Sequence, residues 1–186
     1  MSRRASALRL AGFVVLAAVL LGCRPATQSP AAAHLGQRTK TAGCAVNGKL
    51  PDAACTPGAI IATATKEQIC QSGYAKNVRD VPESEKSDVY REYGIASHRA
   101  GQFEVDHLVS LELGGSNDIA NLWPEAADPR PGFHEKDQVE NYLHDQVCSG
   151  QLDLAAAQQQ IATNWFAVYQ DMPKGRSGSA SSAGSP

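Results

Sequence analysis

The sequence predicts an α+β domain stapled by disulfides. A run of apolar marks at Val105, Leu108, Val109, Leu111 and Leu113 breaks at Gly114-Gly115, the pattern of a short hairpin or bent strand. Apolar residues at helical spacing lie on both sides of that run. Four cysteines, Cys44, Cys55, Cys70 and Cys148, form an even set inside the same region, as in an exported domain closed by two bridges.

The chain begins with a basic stretch (Arg3, Arg4, Arg9) and an apolar run from Leu10 to Leu21. That run is short for a membrane span, so residues 1–22 read as a secretory signal peptide. Its ending, Leu20-Leu21-Gly22-Cys23, resembles a lipobox, which implies cleavage before Cys23 and lipidation of that cysteine. An ordinary signal peptide with an incidental cysteine is the plainer alternative. The expected location is outside the cytoplasm, on a membrane facing the periplasm or the cell exterior, held by acyl chains and not by a transmembrane helix. Residues 23–42 are rich in Ala, Pro, Gln, Ser and Thr and read as a flexible tether, in which His34 is solvated and inert. Residues 43–171 form one domain of about 130 residues, enough for a single modest core. Residues 172–186 are mostly Gly, Ser and Ala and read as a disordered tail.

The whole chain carries 17 Lys+Arg against 19 Asp+Glu, and losing the signal peptide leaves 14 against 19. A net charge near −5 is unfavourable for a nucleic-acid binder, whose affinity comes largely from neutralising phosphates. A bound divalent cation can override it locally. Nothing in the sequence calls for an oligomer.

Within the domain, none of the four cysteines forms a CxxC pair, which argues against a zinc knuckle. Three connectivities are open. The preferred one joins Cys44 to Cys55 around a Gly/Pro-rich loop and Cys70 to Cys148 at the end of a later helix, the longer bridge stabilising by roughly 3–5 kcal/mol. Pro82 opens a helix to about Tyr93, stopped by Gly94, with Val89, Tyr90 and Tyr93 as core. His98 and Arg99 lie in a polar loop, where His98 is a minor candidate for substrate contact. A second helix runs from about His134 to Val147, with Val139, Leu143 and Val147 as its core face and Gly150 as its stop. A third runs from the N-cap Asp153 to about Tyr169 on an apolar face of Leu154, Ile161, Trp165 and Val168.

The stretch Glu104–Glu125 holds the chemistry. Asp106 and His107 are neighbours on the predicted strand, so they point to opposite faces and take different tasks. The ordered set Asp106-His107, Gly114-Gly115 and Asn121-Leu122, with Asn121 14 positions after His107, resembles the HNH or ββα-metal endonucleases. It is similar in particular to small secreted bacterial HNH proteins, and in that group the similarity extends over most of Cys44–Tyr169. The resemblance implies a ββα-metal core with flanking helices. It also implies that Thr65–Val81 is an extended piece running into the core, from which Lys76 and Arg79 could reach phosphate. Asp-His replaces the paired histidines of many members, Ser110 stands at a proline position, and Leu122-Trp123-Pro124 replaces any zinc-binding cysteine.

By the same resemblance, His107 is the general base, Asp106 a metal ligand, and Asn121 the residue that ties down the loop and orients the base. His134, 27 residues after His107, is the first choice for the remaining ligand, ahead of Asp137 and Glu140. Arg130 and Lys136 are candidate phosphate contacts. A histidine suits activation of water near neutral pH, and one divalent ion can neutralise charge and assist the leaving oxygen. A carboxylate ligand favours Mg2+ or Mn2+, while imidazole would admit Zn2+ or Ni2+. The expected function is a metal-dependent extracytoplasmic endonuclease acting on DNA, RNA or both. The alternative is a non-catalytic binding or structural lipoprotein that keeps the scaffold.

Overall fold

The computed structural model describes residues 32–173. The expected signal peptide, the Cys23 lipidation site and the tail from Lys174 lie outside the described residues. Among them are five helices, two antiparallel two-stranded sheets and two disulfides, a mixed α+β architecture. None of the described helices is long and apolar enough to cross a membrane.

The expected tether ends early. Ala32–His34 (β1) pairs antiparallel with Ala59–Ile61 (β2). The Leu35 amide then donates to Gly58 O at 2.9 Å, and Leu35 packs against the core. Arg38 donates to Cys55 O at 2.9 Å and pairs with Glu92. Composition alone suggested a free linker, but these contacts give residues 32–42 a place on the domain. His34 is part of it, 3.4 Å from the Asp118 carboxylate.

Thr65–Val81 holds two short helices where an extended segment was expected. Thr65 and Gln68 cap each other's backbone, which starts Lys66–Ile69 (α1), and Gly73 turns the chain into Tyr74–Val78 (α2). A Thr-x-x-Gln pair satisfies two amides that a helix start leaves bare, and this local gain sets the conformation. Glu83–Glu92 (α3) follows Pro82 and ends before Gly94, as expected.

Phe103–His107 (β3) pairs antiparallel with Leu122–Ala126 (β4), placing Asp106 opposite Trp123 and His107 opposite Leu122. Between them the chain makes two 3₁₀ turns, Leu111–Leu113 and Ile119–Asn121, each capped by the side chain of the residue before it. Gly115 sits where this loop folds back. A Cβ there would lie 1.8 Å from Val109 O, so only glycine allows the approach.

Phe133–Cys148 (α4) and Leu154–Asp171 (α5) pack on each other and enclose the main core. Ile69, Val109, Leu113, Val139, Leu143, Val147, Ala157, Ile161 and Trp165 are buried there. Met172 is buried with them, so the domain runs past the expected boundary at residue 171. Gln158 lies on the apolar face of α5 and is tolerated because its amide donates to Leu113 O at 2.8 Å. The bridges join Cys44 to Cys55 and Cys70 to Cys148, the preferred connectivity. The first holds a loop that reaches α3 through Cys44 N–Glu92 O, 2.9 Å. The second ties α1 to the end of α4.

Candidate active site

Alternation along β3 separates the two motif residues. The Asp106 carboxylate meets α4, and the His107 ring meets the loop that follows β3.

His107 is 2% exposed. Its Nε2 lies 3.1 Å from Asn117 Oδ1, and Asn117 Nδ2 donates to Val78 O at 2.7 Å. A carbonyl oxygen only accepts, so the amide nitrogen of Asn117 must face Val78 and its oxygen must face the ring. Nε2 therefore carries the proton, and Nδ1 keeps a lone pair. That Nδ1 is buried and has no hydrogen-bond partner. Burial pushes the His107 pKa down to about 4, helped by the nearby charges of Arg79 and Lys136 and opposed by Asp106 and the Asn117 bond. The imidazole is thus neutral across the physiological range.

Asn121 has one of the two tasks expected of it. It is fully buried, its Oδ1 accepting from Val109 N at 2.9 Å and Ala59 N at 3.3 Å. Its Nδ2 donates to Val109 O at 3.0 Å and Ser116 O at 2.8 Å. All four bonds go to backbone, so Asn121 ties down the loop as expected, while the side chain that meets the His107 ring is Asn117. A 14-residue spacing identifies the loop staple, but which polar loop residue faces the ring depends on where α2 presents Val78 O.

Lys136 is the unforeseen centre of the site. It is 0% exposed, and its ammonium donates to Asp106 Oδ2 at 2.7 Å, to His107 O at 2.7 Å and to Glu140. The three donors of the ammonium are all used, and none is left for a phosphate. Expected as a substrate contact, Lys136 is instead an internal counter-ion. Lys136 and Glu140 are one helical turn apart and share a face of α4. Ser110 donates to the other Glu140 oxygen at 2.8 Å, which locks the network onto the loop.

The charges follow from this packing. Burial opposes the charge on Asp106, yet the Lys136 ammonium outweighs it and holds Asp106 below the usual carboxylate range. Burial also opposes the Lys136 charge, but Asp106 and Glu140 beside it keep that lysine firmly protonated, above the ordinary lysine range. Burial pushes Glu140 up to about 7 against the pull of Lys136. Glu125, 2% exposed beside Asp106, rises to about 10 through burial and stays a neutral acid. Its proton can serve Asp106, although neither Glu125 oxygen sits in good hydrogen-bonding geometry.

The other expected site residues are at the surface. The His134 ring is exposed and lies 4.2 Å from the Phe133 ring, centroid to centroid. Arg130 is 70% exposed and pairs with Glu135 at 3.2 Å, in the turn leading into α4. Asp137 is exposed but close enough to Asp106 to have its own pKa raised by burial and that charge. Arg79 is exposed, and it lines a cleft of about 290 Å³ with Val81, Lys86, Tyr90, Glu104 and Val105. His98 stacks on Tyr90 at 4.4 Å, a packing contact.

These residues do not fit a divalent ion held by Asp106 and His134. Each oxygen of Asp106 already has a donor, His107 N–H at 2.8 Å on one and Lys136 on the other. His134 points away to solvent. The one close group of three potential ligand atoms among the described residues is Cys70, His144 and Cys148, and its two sulfurs are bonded to each other. His144 there makes a 3.1 Å bond to Ile69 O.

No protein-family model matches this chain, and no curated protein or solved structure matches it either.

Proposed function

We propose that this chain is an extracytoplasmic endonuclease of the ββα type that hydrolyses phosphodiester bonds with His107 as general base. The observation that carries it is the buried, partnerless Nδ1 of a neutral His107 whose other nitrogen is held by Asn117. Leaving a buried acceptor unpaired is costly, and such a group is a candidate for function. The order β3, β4, α4 around Asp106 and His107 agrees with a strand–strand–helix core.

In this reading His107 Nδ1 takes the proton of a water molecule, whose oxygen attacks phosphorus as the P–O bond opposite it breaks, and the departing oxygen takes a proton from solvent. The imidazolium that forms keeps its Nε2–H bond to Asn117. Asp106, on the opposite side of β3, stabilises the positive ring through its charge. Arg79, whose charge already reaches His107, is the cation we assign to the phosphate. The nucleic-acid strand then lies along the Arg79–Lys86–Tyr90 cleft. Export with an acyl anchor at Cys23 belongs to the same proposal, and the two disulfides are compatible with export.

The second reading, a non-catalytic scaffold, is favoured by one observation: Lys136 fills the space against Asp106. Cleavage of supercoiled plasmid and of single-stranded RNA by the mature protein decides between them. Loss of a general base costs about 10²–10⁴-fold, so His107→Ala should cut that much more slowly. An inert wild-type protein would leave only the scaffold, and cleavage indifferent to His107→Ala would overturn His107 as the base.

A further inference from the structure

We infer that Lys136 is the resident cation of this site, standing in the position against Asp106 that a divalent ion would take, so that the site admits such an ion only when the lysine charge is removed. The inference rests on reading Asp106 and His107 as the motif pair of the proposed endonuclease. It is tested by metal binding, apart from turnover.

The geometry is that of a filled coordination site. The ammonium faces three oxygens, from a carboxylate on β3, the backbone at the end of β3 and a carboxylate one turn along α4. An ammonium buried this deeply persists only when its charge and all its protons are matched, and here they are. The acceptors are themselves fixed. Asp106 Oδ1 takes the His107 amide at 2.8 Å, and Glu140 takes the Ser110 hydroxyl at 2.8 Å. Asp106 and Glu140 set two negative charges against one positive, with Glu125 neutral beside them. A divalent ion entering against Asp106 would meet a buried positive charge at contact distance, which repels it strongly where screening is poor. The imidazole that would have helped to hold it, His134, is at the surface.

Removing the lysine charge reverses the balance. In Lys136→Met a side chain of similar length and no charge leaves Asp106 and Glu140 without a counter-ion. Their two carboxylates and the His107 carbonyl are hard oxygen ligands of the kind that bind Mn2+ or Mg2+.

The test is Mn2+ binding to the full mature chain, read from the loss of the free-ion electron paramagnetic resonance signal. The wild type should leave Mn2+ free at concentrations where Lys136→Met binds one ion. The variant should bind on the order of 10²–10³-fold more tightly, as expected for removing one poorly screened charge. Asp106→Asn placed on Lys136→Met should abolish that binding. Wild-type binding as tight as the variant's, lost in Asp106→Asn alone, would overturn the inference. If Lys136→Met fails to fold by near-ultraviolet circular dichroism, refolding it with Mn2+ decides: rescue supports the inference, and no rescue overturns it. An inert wild type together with Mn2+ uptake by Lys136→Met would sink the endonuclease reading and leave Lys136 as the resident cation.

Discussion

Asn117 and His107 share one hydrogen bond, 3.1 Å from Oδ1 to Nε2, and its direction is set by a third group, Val78 O. Asn117→Ala removes the bond, and because that bond raises the His107 pKa, the acid limb of a cleavage–pH profile should move below its wild-type place near 4. Asn117→Asp adds a negative charge and should move the limb upward. Both should slow cleavage, by roughly 10-fold or more from the loss of an oriented base. Identical profiles for the two variants would deny Asn117 this role.

Neutral His107 also affects stability. Its folded pKa is depressed to about 4, so the folded state binds fewer protons than the unfolded chain between that value and the ordinary histidine range. Stability should therefore fall as pH drops from about 6.5 toward 4. His107→Gln, which does not titrate, should flatten that part of the curve in urea unfolding followed at several pH values.

Glu125 has the opposite sign. Its pKa is raised to about 10, so the folded state keeps a proton that the unfolded chain loses above about 4.5. Its contribution is fullest at acid pH and declines as pH rises. Glu125→Gln should thus stabilise the protein, with a gain that grows with pH by at most about 1.4 kcal/mol per unit. Thermal unfolding in a chelator at pH 5 and pH 8 measures it; an equal shift at both pH values would mean that Glu125 is ionised in the folded state.

Asn121 and Gly115 hold the loop by different means. Asn121→Ala leaves the Val109 amide and the Val109 and Ser116 carbonyls without their partner, at about 1–3 kcal/mol each. Gly115→Ala drives a methyl into Val109 O, an overpacking cost of about 1–3 kcal/mol or more. Denaturant midpoints of the two variants against wild type check both figures.

The two bridges should differ in worth. They span 11 and 78 residues, which on the chain-entropy model corresponds to about 3 and about 4.5 kcal/mol. Cys70→Ala with Cys148→Ala should lower the unfolding free energy more than Cys44→Ala with Cys55→Ala. The reverse order would place the larger contribution in contacts of the 44–55 loop.

The sequence by itself determined what depends on near neighbours. Asp106 and His107 had to face apart because strand side chains alternate, and the structure separates them in that way. The helix starts at Pro82 and Asp153 and the stops at Gly94 and Gly150 follow from local backbone chemistry, so they were legible. The staple role of Asn121 was legible through its spacing to His107. The Thr65–Gln68 cap is also local, a Thr-x-x-Gln pair that sets a helix start against the extended structure expected there. What the tertiary structure alone decided is which partner each polar group meets. Lys136 lies 30 positions from Asp106, and only the docking of α4 beneath β3 brings its ammonium there in place of the His134 ring. The same helix rotation that turns Lys136 and Glu140 inward turns His134 out, because residues two apart on a helix lie on different faces. Asn117 orients His107 because α2 presents the Val78 carbonyl 39 residues away in sequence. Residues 32–42 read as a linker by composition, and packing against Gly58, Cys55 and Glu92 makes them part of the domain. Short-range sterics are carried by a few adjacent residues, whereas the pairing of buried charges is settled only when distant segments close around them.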